Sequence, residues 1–187
     1  MENYKVLDKL RKTRECTYYS ATSRQTNRHV TIQKLNSKRV CWEELLNRRD
    51  VALMKQAGLA CLPRLVEIIK DEGQFFMVLE KLENNLEDYR RGSKLPLATS
   101  VDVAVRLLEA LIELKKKEVV VCDLRPENIF YEQGKVIVAN LGSGQRDVTK
   151  FDLVESHDMR YVAPENILTS KAVDERSNVF TVGCILA

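Results

Sequence analysis

The chain has 187 residues, enough for one domain or for two small lobes sharing a cleft, and 44% of them are apolar, which supports a packed core and excludes a disordered chain. Its net charge of +3, from 30 basic against 27 acidic residues, is too small to argue for a nucleic-acid partner, and the KKK run at 115–117 reads as a solvated helix end. No apolar run approaches the roughly 20 residues a membrane span needs. The opening MENYKVLDKL lacks a signal-like apolar core. Five cysteines (16, 41, 61, 122 and 184), odd in number and without a C-x-x-C pair, read as reduced thiols of an intracellular, cytoplasmic protein, with neither a disulfide frame nor a zinc site.

Residues 4–10, 17–21 and 29–35 are short and rich in β-branched or aromatic side chains, which predicts three strands, with SRQTNR as the turn before the third. Residues 42–57 carry Leu45, Leu46, Val51, Leu53 and Met54 at helical spacing. Two further strands, 65–70 and 75–80, flank DEG as a hairpin. Beyond ENN, Val101, Ala104, Val105, Leu108, Leu111 and Ile112 recur with a helical period, which predicts a long, largely buried helix. Thr99 with Asp102 resembles a weak capping box at its start. The run VVV leads into CDLRPENIF. Residues 129–131 and 136–139 then form a second hairpin around EQGK, 140–165 is mostly irregular, and SNVFTVGCILA is an apolar helical run at which the sequence stops.

CDLRPENIF sets an acid, a cation two residues on and an amide three beyond that ahead of a strand. Alone it is as readily an ordinary acidic loop as a catalytic one. However, DLRPENIF, then NLG twelve residues past Asn128, then APE at 163–165, then RSNVFTVGCILA, in that order and spacing, resembles the C-lobe core of eukaryotic protein kinases. The PEN is serine/threonine-like, and NIF adds a fainter likeness to the NIMA-related kinases. The resemblance covers the whole chain and implies an α+β, kinase-like bilobal fold. On that resemblance residues 1–81 are expected to form an N-lobe of five antiparallel strands and one helix, with a hinge near 80–84, and residues 85–187 a mostly helical C-lobe, truncated after its central helix.

The resemblance also assigns roles. Asp123 stands where the family's acid accepts the hydroxyl proton, Arg125 replaces the usual lysine, and Asn128 stands where an amide holds the second magnesium. The other elements depart from the family. The three phosphate-loop glycine positions hold Arg11, Thr13 and Cys16. Tyr18 replaces the small aliphatic that covers adenine. Gln33 stands for the lysine that holds the α- and β-phosphates, with Lys34 and Lys12 as two conceivable substitutes. Asp50 stands for the helix acid that would pair with that lysine, leaving at most a hydrogen bond to Gln33. Leu79, Glu80 and Leu82 occupy the gatekeeper and hinge positions. Asn140, in NLG, replaces the carboxylate that binds magnesium, so metal at Asn128 and Asn140 is expected to be weak or lost. Asp158 takes a threonine position, His157 reads as a lone surface histidine, and Asn178 replaces the acid that braces the catalytic loop. Leu141, Val121 and Met54 keep apolar packing positions. Fold-supporting residues are kept and charge-supporting ones are lost, the pattern of a pseudokinase acting as scaffold or allosteric partner.

On that reading no cofactor is expected, and ATP and magnesium enter only for a weakly active or atypical serine/threonine kinase using Asp123. A third reading is a non-functional fragment. The expected partner is a protein, met through an exposed helix at 176–187. Neither nucleic acid nor membrane is expected.

Overall fold

Alternation of side chains across a strand is the first determinant of this molecule. In the computed structural model, described for residues 1–12, 16–36, 42–46, 48–56, 59–82, 84–90, 94–132, 134–141, 158–168 and 173–187 (without the side chains of 42, 44 and 49), the chain divides into two compact units. The first comprises residues 1–58 and 63–82; the second comprises 59–62 and 83–187.

The first unit is a five-stranded antiparallel sheet of order β1-β2-β3-β5-β4, built from β1 (Tyr4–Lys12), β2 (Cys16–Ser23), β3 (His29–Leu35), β4 (Leu65–Asp71) and β5 (Gln74–Glu80). Ala21, Val30, Ile32, Phe76 and Val78 pack on one face, where Tyr4 joins them. The phenol of Tyr4 donates to Glu67 on β4; burial first, then that carboxylate, pushes its pKa up to about 12. The predicted hairpin closes through Glu72 and Gly73, with φ of 47° and 73°. Two successive left-handed residues give the turn whose twist matches its strands, and glycine takes that conformation without steric cost.

The predicted helix over 42–57 is two shorter ones, α1 (Trp42–Leu46) and α2 (Arg49–Lys55). Arg48 between them is extended, with ψ of 136°, and its guanidinium folds forward onto Asp50 at 3.0 and 2.6 Å. Leu45, Val51, Leu53 and Met54 are buried, so the apolar pattern still marks the packed face.

The second unit holds α3 (Leu86–Arg90), α4 (Leu97–Lys116), a 3-10 turn (Pro126–Asn128), the hairpin β6 (Ile129–Glu132) and β7 (Lys135–Val138), a second 3-10 turn (Met159–Tyr161), α5 (Pro164–Leu168) and α6 (Glu175–Leu186). The long helix is present, but its core face differs from the predicted one. Val103, Leu107, Ala110 and Leu114 are buried, whereas Val101, Val105 and Ile112 are 55, 46 and 56% exposed. The helix carries two apolar stripes at the same period, and periodicity cannot choose between them. Packing against α6 and β7 selects one, and Tyr131 on β6 donating to Asp102 at 2.6 Å holds that rotation. The weak capping box is absent: Pro96 is the N-cap, no side chain caps the helix, and Asp102 serves Tyr131 and Arg106 instead.

α6 begins on a capping box, with Asp174 accepting from the Arg176 and Ser177 amides at 2.9 and 3.0 Å. Its apolar residues divide. Val182 and Ile185 are buried, and Val179 and Phe180 are exposed. Among the described residues, no helix is long and apolar enough to cross a membrane. Most of the segment expected to be irregular, including His157, lies outside the described residues, as does Thr13.

Candidate active site

The loop around Asp123 is fixed from three directions. Asn178 on α6 clamps it from below: its side-chain oxygen accepts from the Val121 amide at 3.3 Å and its side-chain nitrogen donates to the Val121 carbonyl at 2.7 Å. The amide thus satisfies both backbone groups of one buried residue, which a carboxylate, having no donor, cannot do. Cys122 donates its N–H to the Leu141 carbonyl at 3.1 Å, tying the loop to the segment after β7. The proline-led 3-10 turn then brings Asn128 back, with the Ala139 N–H on its carbonyl at 2.9 Å.

These ties bring four sequence-expected residues together. The Asn128 side-chain nitrogen donates to Asp123 Oδ2 at 2.7 Å and to the Asp123 carbonyl at 2.9 Å. The Asn140 side-chain nitrogen donates to the same Oδ2 at 2.9 Å. Arg125 Nε lies 3.1 Å from Oδ1. Asp123 and Asn128 are buried, so each contact acts in a medium less polar than water. The result is one carboxylate surrounded by a guanidinium and two amides. Both amides turn nitrogen, not oxygen, toward it.

A cavity of about 20 Å³, enough for about one water molecule, adjoins the loop, lined among others by Asp123, Arg125, Asp158, Tyr161 and Asn178. Asp158 caps the turn at Met159–Tyr161 and pairs with Arg160 at 2.6 Å. That hydrogen-bonded guanidinium holds its carboxyl below the usual range, with Arg125 adding a smaller pull. The Cys122 thiol is pushed up to about 11 by burial and then by the Asp123 charge, so it is protonated at neutral pH.

The first unit carries the other sequence-expected residues. Gln33 is buried on β3, and its side-chain nitrogen donates to Cys16 Sγ at 3.0 Å. It makes no hydrogen bond to Asp50 among the described residues; Asp50 takes Arg48. Tyr18 is buried, and the Arg11 guanidinium stacks 5.1 Å from its ring. Strand β3 pairs with β2 and β5 without a register shift at Gln33 and Lys34, so no bulge re-aims Lys34, which lies 6.0 Å over the Phe76 ring. Lys12 sits on β1 opposite Thr17. Leu79 and Leu82 are buried and Glu80 is exposed; the Leu82 N–H donates to Thr31 Oγ1 at 3.0 Å.

Sequence reasoning missed Cys16 as the partner of Gln33 and Arg48 as the partner of Asp50. The first had a signal. Gln33 pairs with Tyr18, so Cys16 is its diagonal neighbour on the same face, within reach of a long side chain. The second had none, since residues two apart do not face each other along a helix.

The chain matches the protein kinase domain family over residues 4–187. It is 26% identical over 190 aligned positions to cyclin-dependent kinase F-3 of Oryza sativa subsp. japonica, covering all of this chain and 44% of that protein. It is 27% identical to a probable serine/threonine-protein kinase of Dictyostelium discoideum, covering all of this chain and 38% of that one. Serine/threonine-protein kinase ICK of Rattus norvegicus is 26% identical over 162 positions, 84% of this chain and 26% of the relative. The chain thus spans less than half the length of these relatives, and its similarity to them is distant. It belongs to the protein kinase domain family.

Proposed function

We propose that this kinase domain does not transfer phosphate and works by binding a partner protein. Phosphoryl transfer depends on positioning and on neutralising charge over the transferred group, for which the family uses a lysine and carboxylate-held magnesium. Here the lysine position is Gln33, tied to Cys16. The observation that carries the reading is Asn140, whose side-chain nitrogen faces Asp123 at 2.9 Å. Magnesium takes oxygen ligands and favours anionic ones; a donor set of one carboxylate and two neutral amides offers it a single negative charge and fits it poorly. Losing charge stabilisation of this kind costs roughly 10²-fold or more in rate per element. The relatives' names favour a serine/threonine type akin to cyclin-dependent kinases over the NIMA likeness. The exposed Val179 and Phe180 on α6 support a partner surface there.

The test is transfer of radiolabelled phosphate from magnesium ATP to a generic protein substrate. No incorporation above background is expected. Incorporation that disappears in Asp123→Asn would establish the second reading, an atypical kinase, which the intact Asp123, Arg125 and Asn128 arrangement supports.

A further inference from the structure

The chain's modest charge conceals a division. The first unit has sixteen basic and ten acidic residues, +6; the second has fourteen and seventeen, −3, and together they give the +3 of the whole. Much of the excess lies on one strand. β1 carries Lys5, Lys9, Arg11 and Lys12 against Asp8 alone. Lys5, Lys9 and Lys12 are exposed and form no ion pair among the described residues. β1 is also a terminal strand of its sheet, bonded to β2 on one side. Its outer edge carries backbone N–H and C=O groups that no other strand takes among the described residues. Val6, Leu7 and Leu10 are 44, 43 and 55% exposed, so a neighbour laid along the edge would gain apolar contact as well.

We propose that β1 takes an acidic, extended segment of a partner protein as a sixth strand. Backbone pairing supplies part of the affinity and side chains the choice of partner. Lysines on an open edge repel most incoming strands. A second copy of this chain is excluded by the same rule, because its own β1 brings the same positive charge. An acidic strand turns that repulsion into attraction, so the cations that guard the edge also select its occupant. The register shifts between Val6 and Lys9 and between Lys9 and Arg11 limit the match. Bulges interrupt a regular ladder, so the occupant pairs over one half of β1 and is short, about four to five residues. The proposal stands independently of whether phosphate transfer survives.

The test is fluorescence anisotropy of a labelled ten-residue peptide alternating Glu and Val, titrated with the 187-residue chain. Three comparison ligands are needed: the peptide N-methylated on one edge, its Lys-for-Glu counterpart, and a single-stranded RNA of equal charge. The Glu peptide is expected to bind. N-methylation, the Lys exchange and the double variant Lys5→Glu/Lys9→Glu are each expected to weaken it roughly tenfold or more, and 0.5 M salt to weaken it further by screening. The RNA should bind no more tightly than the Glu peptide. Should the double variant melt early, the N-methyl comparison on the unaltered chain decides. Absence of binding, indifference to N-methylation, or tighter binding of RNA would overturn the proposal.

Discussion

Around Asp123 a guanidinium and two amides enclose a carboxylate, while at Gln33 an amide donates to a thiol. On the proposed reading both regions stand where the family concentrates charge, with an amide in place of a charged group. In the loop the amides bond to the groups beside them, Asn140 to the Asp123 carboxylate and Asn178 to both backbone groups of Val121. In the first unit Gln33 donates to Cys16 and Asp50 pairs with Arg48. An amide both donates and accepts, so it can face an acid or satisfy both groups of one backbone residue, which a carboxylate cannot. It cannot stand in for a lysine whose partner was another charge.

The scaffold under the loop carries the largest expected effect. Leu107→Ala, on the buried stripe of α4, should cost about 2–5 kcal/mol, and Ile112→Ala, on the exposed stripe, should stay within about 0.5 kcal/mol. Equal losses in chemical denaturation would return α4 to the rotation its periodicity suggests. Asn178→Leu comes next. It leaves the N–H and C=O of buried Val121 unpaired, at about 1–3 kcal/mol each. Asn178→Asp should cost less, since it keeps the acceptor.

Asn140→Asp sharpens the comparison within the loop itself. It sets a second carboxylate where an amide nitrogen lies 2.9 Å from Asp123, and like charges that close should destabilise the fold by about 1–3 kcal/mol. Millimolar magnesium or manganese should recover that loss in the variant and leave the unaltered chain unchanged. A variant as stable as its parent without metal would show that the amide is not what holds Asp123. The smallest functional change is expected on β3. Gln33→Lys buries an ammonium beside a thiol, with Asp50 already paired, and should leave nucleotide binding unimproved while costing about 3–5 kcal/mol of stability. A gain in ATP affinity would mean that the corner still accepts the family's lysine.

Much of this arrangement was legible in the sequence because strands and motifs are local signals. The five strands follow from β-branched and aromatic composition and the DEG turn from turn chemistry, while the loop from Cys122 to Asn128 is marked out by its resemblance to the kinase motifs. What escaped depended on tertiary choice. Two apolar stripes on α4 read alike until α6 and β7 cover one of them. The break at Arg48 depends on a side chain reaching forward to Asp50, which no helical period encodes. The Gln33–Cys16 contact required the register of β2 against β3, although its diagonal could have been drawn once both strands were known.

The account rests on lost charge at a retained shape, and the thermal stability of the unaltered chain in ATP with and without magnesium tests it most directly. Stabilisation follows RT ln(1 + [L]/Kd), so a ligand at 100 times its Kd raises stability by about 2.7 kcal/mol. The account expects little shift from ATP and no difference on adding magnesium, because Asn128 and Asn140 bring two neutral amides to a single carboxylate. A stabilisation that appears only when magnesium and ATP are present together, and that is abolished in Asn140→Ala, would contradict it.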